Sequence, residues 1–179
     1  MTLYSFTLLT SLFLGVLGFL FIYKHSLTES TVKGILRSQK AAVILLTIDL
    51  IWFLKQHVNN LGEADFGEYK LIIGLIGCCI AVASYFLIND FLAVRAQCIL
   101  LLFYSREALD SAFLQEPQSR LFLVSVIYII IIACLYFGAW PYRLRDFLNW
   151  LYTESIRSKI LGSVLFIYSF ILLGVAYSY

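Results

Sequence analysis

Asp49 lies inside an apolar run and is the residue whose position most strongly suggests chemistry. Ala41–Ile48 precedes it and Leu50–Leu54 follows it, which places it about 9 Å along a helix from Lys55. An ionisable side chain at membrane depth is costly, and such residues commonly mark ion, proton or substrate sites. We therefore expect Asp49 to require a partner or a water-filled cavity.

Arg95, Arg106 and Asp110 form a second set of charges within one apolar segment. The two arginines are eleven residues apart, which places them within about 20° of each other on a helix, and Asp110 lies near the same face. One hypothesis is an interhelical ion pair between Asp49 and Arg106. The local alternative pairs Arg106 with Asp110 and leaves Asp49 bonded to Thr47, a backbone carbonyl or water.

A row of small residues in the third apolar block indicates close helix packing. Gly74, Gly77, Ala81 and Ser84 recur at intervals of three and four residues, and small side chains let a neighbouring helix approach closely. This packing seam predicts that the third membrane-spanning helix lies at the centre of the bundle. It carries no information about a substrate.

Several kinds of chemistry are disfavoured by the residues present. The two histidines, His25 and His57, are predicted to lie in linkers on opposite sides of the membrane, which excludes a bis-histidine haem and a serine–histidine dyad. The four cysteines form no CxxC pair or Cys/His cluster, and no HExxH, P-loop or dinucleotide-binding motif occurs. We expect no cofactor, no metal site and no catalytic residues.

Composition shows which elements must position these charges. The 179 residues are 61% hydrophobic and 13% charged, whereas about a quarter of residues are charged in soluble domains. Apolar blocks of about 20 residues are long enough to cross a bilayer as helices. The sequence thus predicts one all-α integral membrane domain, residues 1–179, with about six membrane spans at residues 3–23, 34–54, 71–88, 91–114, 121–140 and 160–179.

The charged segment 91–114 either crosses the membrane or lies on its surface, and the basic linkers favour a crossing. The linkers after the first span and before the last are rich in Lys and Arg, whereas Lys55–Lys70 carries three acidic residues between its terminal lysines. Basic linkers face the cytoplasm, and four crossings between them place both on that side. We therefore expect six spans with both termini non-cytoplasmic, and take the bacterial inner membrane as the default location.

Residues 141–153 predict an amphipathic helix in the plane of the membrane surface. Its apolar face is Leu144, Phe147, Leu148 and Leu151, and its polar face is Arg145, Asp146 and Asn149, with Trp140 and Trp150 placed as interfacial anchors. Such a helix either binds lipid or a partner, or only connects two spans.

Three functions remain open from the sequence. The first is a non-catalytic membrane subunit or scaffold that packs with other subunits, or with copies of itself, in a larger assembly. The second is a small oligomeric transporter or channel in which Asp49, Arg95 and Arg106 line a path, although transporter spans are commonly broken near the midplane and both prolines here lie at span ends. A membrane enzyme is third. The bilayer is the expected environment, and nucleic acid is not an expected partner because the basic residues form no single patch.

Overall fold

The computed structural model describes residues 2–23, 25–62, 67–87 and 91–179, and every secondary-structure element in those ranges is a helix. A π-helical turn, Phe53–Val58, extends the third α-helix, and a 3₁₀ turn, Gly67–Tyr69, precedes the fourth. The α-helices of the described ranges are α1 (Leu3–Tyr23), α2 (His25–Arg37), α3 (Gln39–Trp52), α4 (Lys70–Leu87), α5 (Leu92–Ala112), α6 (Arg120–Ala139), α7 (Pro141–Thr153) and α8 (Ser155–Ala176).

Five helices of the described chain are long and apolar enough to cross a membrane, as expected for a multi-pass helical membrane protein. They are Leu3–Tyr23, Gln39–Val58, Gly67–Leu87, Arg120–Ala139 and Ser155–Ala176. The predicted span 91–114 is one continuous helix, α5, but its charged residues lower its hydropathy and it is not one of the five.

The predicted second span, 34–54, differs from the helix that forms. The helix is interrupted at Ser38, which has an extended backbone. As the N-cap of α3, its side chain accepts a hydrogen bond from the Ala41 N–H at 3.2 Å. A helix cap of this kind starts a new helix direction. As a result Gly34 belongs to the separate helix α2, and the span begins at Gln39 and reaches Val58.

Helices α1 and α8 form the closest helix pair and run antiparallel. The Ser11 hydroxyl donates to the Ser169 carbonyl, and the Ser169 hydroxyl donates to the Ser11 carbonyl, both at 2.8 Å. Two turns away, a Cβ built on Gly18 would lie 2.7 Å from the Gly162 carbonyl oxygen. Such close backbone approach requires small residues at the crossing, so glycine and serine set this interface.

Helix α5 lies between α3 and α6. It runs parallel to α3, since Ala42 packs with Ala93 near one end and Gln56 bonds to Glu107 near the other. It runs antiparallel to α6, whose Cys134 shares a buried cluster with Cys98. Four alanines let its neighbours approach closely and are at most 4% exposed: Ala93, Ala96, Ala108 and Ala112.

Helix α4, which carries the packing seam, lies at the periphery, so its predicted central position is wrong. Gly74 is its only buried residue, and most of its long apolar side chains are exposed. It packs antiparallel to the end of α3, where a Cβ on Gly77 would lie 2.6 Å from Phe53 Cε1 and Leu54 is the nearest neighbour of Gly74. Small residues indicate that another helix approaches closely, but they do not indicate how many helices surround the one that carries them.

Helices α2 and α7 cover the same end of the bundle. Leu36 of α2 packs in one buried cluster with Leu148 and Leu151 of α7. Arg145 and Asp146 on the opposite face of α7 are exposed and paired at 2.9 Å. The predicted amphipathic helix therefore has the predicted bounds, but part of its apolar face packs against the protein itself.

Candidate functional site

Asp49 is the buried charged residue of the described chain that has no partner. It lies near the middle of the helix Gln39–Val58, ten residues from one end and nine from the other. Its side chain is buried, with 5% of the residue exposed, and neither carboxylate oxygen has a hydrogen-bond partner among the described residues. An ionised carboxylate in that position is strongly destabilising unless a donor or cation reaches it.

A cavity of about 230 Å³ lies beside Asp49, between α3, α4 and α5. We call it the Asp49 cavity. Its walls are mostly aliphatic and aromatic, and Asp49 and Ser84 supply the polar side chains. The lining residues are Leu46, Asp49, Leu50 and Phe53 of the extended α3, Gly77, Ile80, Ala81 and Ser84 of α4, and Ile99 and Phe103 of α5.

The cavity exists because α4 touches α3 closely at one end only. At Gly74 and Gly77 the helices are in contact through Leu54 and Phe53. Farther along α4, an apolar groove separates the same two helices; it is lined by Val43, Leu46, Thr47, Leu50, Ala81, Val82, Tyr85 and Phe86. Of the seam residues, Gly77 therefore touches the facing helix at the edge of the cavity, and Ala81 and Ser84 line an open space instead of a filled helix contact.

The π-helical turn follows Asp49 toward the Val58 end of the helix. The Asn59 N–H donates to the Leu54 carbonyl, five residues back, at 3.0 Å, which is the bond of a wider π-helical turn. Turns of this type often occur at functional sites. Here the turn brings the His57 ring to 4.9 Å from the Phe103 ring and 6.0 Å from the Phe53 ring, measured between centroids.

His57 was predicted to lie in a linker, and the structure places it in the helix instead. Its Nδ1 is buried without a hydrogen-bond partner in the described part of the chain. The adjacent Gln56 donates from Nε2 to Glu107 Oε2 at 3.2 Å. Sequence reasoning missed this contact between α3 and α5, because Lys55 suggested that the helix ended there.

Asp49 and Arg106 do not form the predicted pair. Gln56, seven residues beyond Asp49, is the residue that meets Glu107, so Arg106 lies about 10 Å farther along the helix axis. Instead the Arg106 Nε lies 3.9 Å from Asp110 Oδ2, with both side chains mostly exposed. This contact is the one that the local alternative predicted, in which Arg106 pairs with Asp110.

The remaining candidates from the sequence are Thr47, the predicted local partner of Asp49, and Arg95 of the predicted polar network. The Thr47 hydroxyl donates to the Val43 carbonyl at 2.7 Å. Arg95 is half-buried near the other end of α5, and its Nε has no hydrogen-bond partner among the described residues. Arg95 is not among the described residues that line the Asp49 cavity. The structure thus brings the packing seam to Asp49, but none of the predicted cations.

Two further polar contacts were not predicted, and both hold helices together. The Thr10 and Tyr104 hydroxyls lie 2.7 Å apart and join α1 to α5. The reciprocal bonds between Ser11 and Ser169 join α1 to α8. The spacing of Ser11 and Gly18 against Gly162 and Ser169 was the available signal for this second contact.

No group of three or more His, Cys, Asp or Glu side chains that would hold a metal ion occurs in the described chain. Comparison with protein families, curated proteins and solved structures finds no match to this chain.

Proposed function

We propose that this protein is a six-span, non-catalytic subunit or scaffold of a larger membrane assembly, and that α4 forms its contact side. The observation that carries the proposal is the isolation of α4. It is long enough to cross a membrane, yet Gly74 is its only buried residue. The remaining spans of the bundle pack against neighbours along more of their length.

The direction of the helices supports an even number of crossings. Helices α1 and α8 are antiparallel, as the pairs Ser11–Ser169 and Gly18–Gly162 require. If both cross the bilayer, the chain between them must return to the side where α1 ends. Five crossings would make the first and last helices parallel, so the charged helix α5 is the sixth.

The position of α5 inside the bundle supports the same count. Its buried face packs on α3 and α6, two helices with the hydropathy of membrane spans. Its charged residues lie toward its ends, with Arg95 near one and Arg106, Glu107 and Asp110 near the other. Charges near helix ends can reach the interfaces, so the central turns of α5 remain apolar enough to cross.

The arrangement of the linkers supports the proposed orientation. Helices α2 and α7 pack together through Leu36, Leu148 and Leu151, so the two basic linkers lie at one end of the bundle. Basic linkers are retained in the cytoplasm. Both termini are then non-cytoplasmic, in what we take to be a bacterial inner membrane.

A subunit role predicts that α4 contacts another protein in the native membrane. A tagged chain is purified in mild detergent beside the variant Ile76→Trp, which changes an exposed position of α4, and the control Ile167→Trp, which changes an exposed position of α8. We expect other membrane proteins to co-purify in fixed amounts with the wild type and with the α8 variant, and to be lost with the α4 variant.

The alternative function, a small transporter, is favoured by a different observation, the unpartnered Asp49 beside a cavity at mid-span. Purification of the chain as a homo-oligomer without partners, with solute flux after reconstitution that Asp49→Asn abolishes, would replace the subunit proposal with this one. A monomer without partners and without flux would overturn both.

A further inference from the structure

We propose that the Asp49 cavity binds small lipophilic amines, with the ammonium group on the Asp49 carboxylate and the apolar part between the Phe53 and Phe103 rings. The site is formed by this chain alone. The inference therefore goes beyond a role in an assembly and does not depend on it.

Asp49 lacks a counter-charge among the described residues. Asp49 is 5% exposed, and both of its oxygens lack donors among the described residues. Arg106 is directed to Asp110, and Arg95 does not line the cavity as described. Removing a buried charge from water is compensated only by a close partner with good hydrogen-bond geometry, so the complementary group is expected to come from outside the described chain.

The walls of the Asp49 cavity suit an organic cation better than a metal ion. The polar side chains among the lining residues are one carboxylate and the Ser84 hydroxyl, and the rest of the lining is apolar. Calcium and magnesium ions take six or more oxygen ligands, which this set does not supply. An organic ammonium ion needs fewer oxygen acceptors, and it can also be attracted to the faces of the Phe53 and Phe103 rings.

The size of the Asp49 cavity and its access fit a small lipophilic ligand. At about 230 Å³ it is smaller than the roughly 300–1,000 Å³ of pockets for drug-sized ligands, which indicates a ligand with one ring or a short alkyl chain. The cavity shares Leu46, Leu50 and Ala81 with the groove between α3 and α4. An amine with an apolar body can partition into the bilayer and enter from that side.

The test is equilibrium binding of radiolabelled 4-phenylbutylamine to the full chain in lipid nanodiscs, with empty nanodiscs subtracted. The matched neutral probe is 4-phenylbutan-1-ol, which has the same ring and chain but no positive charge. We expect saturable binding of the amine, no saturable binding of the alcohol, and a loss of affinity of about tenfold or more in Asp49→Asn, since the variant removes the charged acceptor of a charge-assisted hydrogen bond.

Two further variants separate the cavity from general effects of charge and folding. Glu116→Gln removes an exposed carboxylate in the loop between α5 and α6 and should bind the amine as the wild type does. Ala81→Phe fills the cavity but leaves the carboxylate in place, and should abolish binding. Both are compared at equal monodispersity, so that Ala81→Phe still decides the question if Asp49→Asn does not fold.

Several outcomes would overturn the proposal. Equal binding of the amine and the alcohol would mean that Asp49 acts as a neutral, protonated acid. Amine binding that survives both Asp49→Asn and Ala81→Phe would place the amine elsewhere. Binding to the isolated chain but not to a natively purified assembly would mean that a basic side chain of a partner fills the cavity.

Discussion

Ser11 of α1 and Ser169 of α8 each donate a hydrogen bond to the main-chain carbonyl of the other, and both bonds are 2.8 Å long. The hydroxyls themselves are 3.5 Å apart. This exchange requires the two helix backbones to lie almost in contact, and the glycines one and two turns away allow it. The first and last long helices of the chain are therefore joined directly, in antiparallel orientation.

Gly162→Ala is expected to destabilise the protein by about 1–3 kcal/mol, because overpacking forces the neighbouring backbone to move. The new Cβ would lie 2.8 Å from the Gly18 carbonyl oxygen and 2.9 Å from Phe21 Cβ. The control is Gly174→Ala in the same helix, where nothing lies within 4 Å of the new atom. Unfolding by SDS in mixed micelles, followed by circular dichroism, measures both. Equal stabilities of the two variants would contradict the close crossing.

Ser11→Ala and Ser169→Ala are each expected to cost about 0.6 kcal/mol and at most about 1.7 kcal/mol, the range measured for hydrogen bonds between membrane helices. Each variant removes one of the two bonds and leaves the other, so the double variant should lose more stability than either single variant, without strict additivity because the two serines are in contact. Ser125→Ala is the control, since that hydroxyl bonds only within its own helix, to the Leu121 carbonyl. A double variant as stable as the wild type would show that the serines do not join the helices.

Asp49→Leu is expected to leave stability unchanged or to raise it, because the substitution removes a buried carboxylate that has no donor and adds apolar contacts beside the cavity. Arg106→Gln should change stability by less than about 0.5 kcal/mol, as expected for an exposed side chain. The double variant should show no coupling beyond about 0.5 kcal/mol. If each single variant lowered the free energy of unfolding and the double variant lowered it no further, the result would support an Asp49–Arg106 pair.

Membrane-impermeant maleimide should label cysteines at positions 34 and 154 from one side and cysteines at positions 60 and 116 from the other. The variants are Gly34→Cys, Asn60→Cys, Glu116→Cys and Glu154→Cys, each in a segment between proposed spans. This pattern follows if α5 crosses the bilayer. A surface-bound α5 would move positions 116 and 154 to opposite sides from those predicted. The parent chain, whose four cysteines lie in helices, measures background labelling.

Asp49 shows how far the sequence determines the candidate site. An acidic residue in the middle of an apolar block can be recognised from the sequence of that block alone, because the free-energy cost of burying it arises within its own helix. Its partner cannot be identified this way, because the contact depends on the register of α3 against α5. The bond between Gln56 and Glu107 fixes that register and places Arg106 beyond reach. His57 was missed for a related reason, since the extension of the helix past Lys55 comes from a π-helical turn.

The sequence by itself determined that most of the chain forms long apolar helices, that Asp49 lies within one of them, and that the basic residues gather in two linkers. These properties are local, because within a membrane each helix satisfies its own backbone hydrogen bonds. Only the tertiary structure decided that α5 is central and α4 peripheral, that α1 and α8 meet, and that the packing seam borders a cavity at Asp49. Contacts between membrane helices depend on the shapes of their surfaces and on a few hydrogen bonds between distant segments. Hydropathy predicts neither of these.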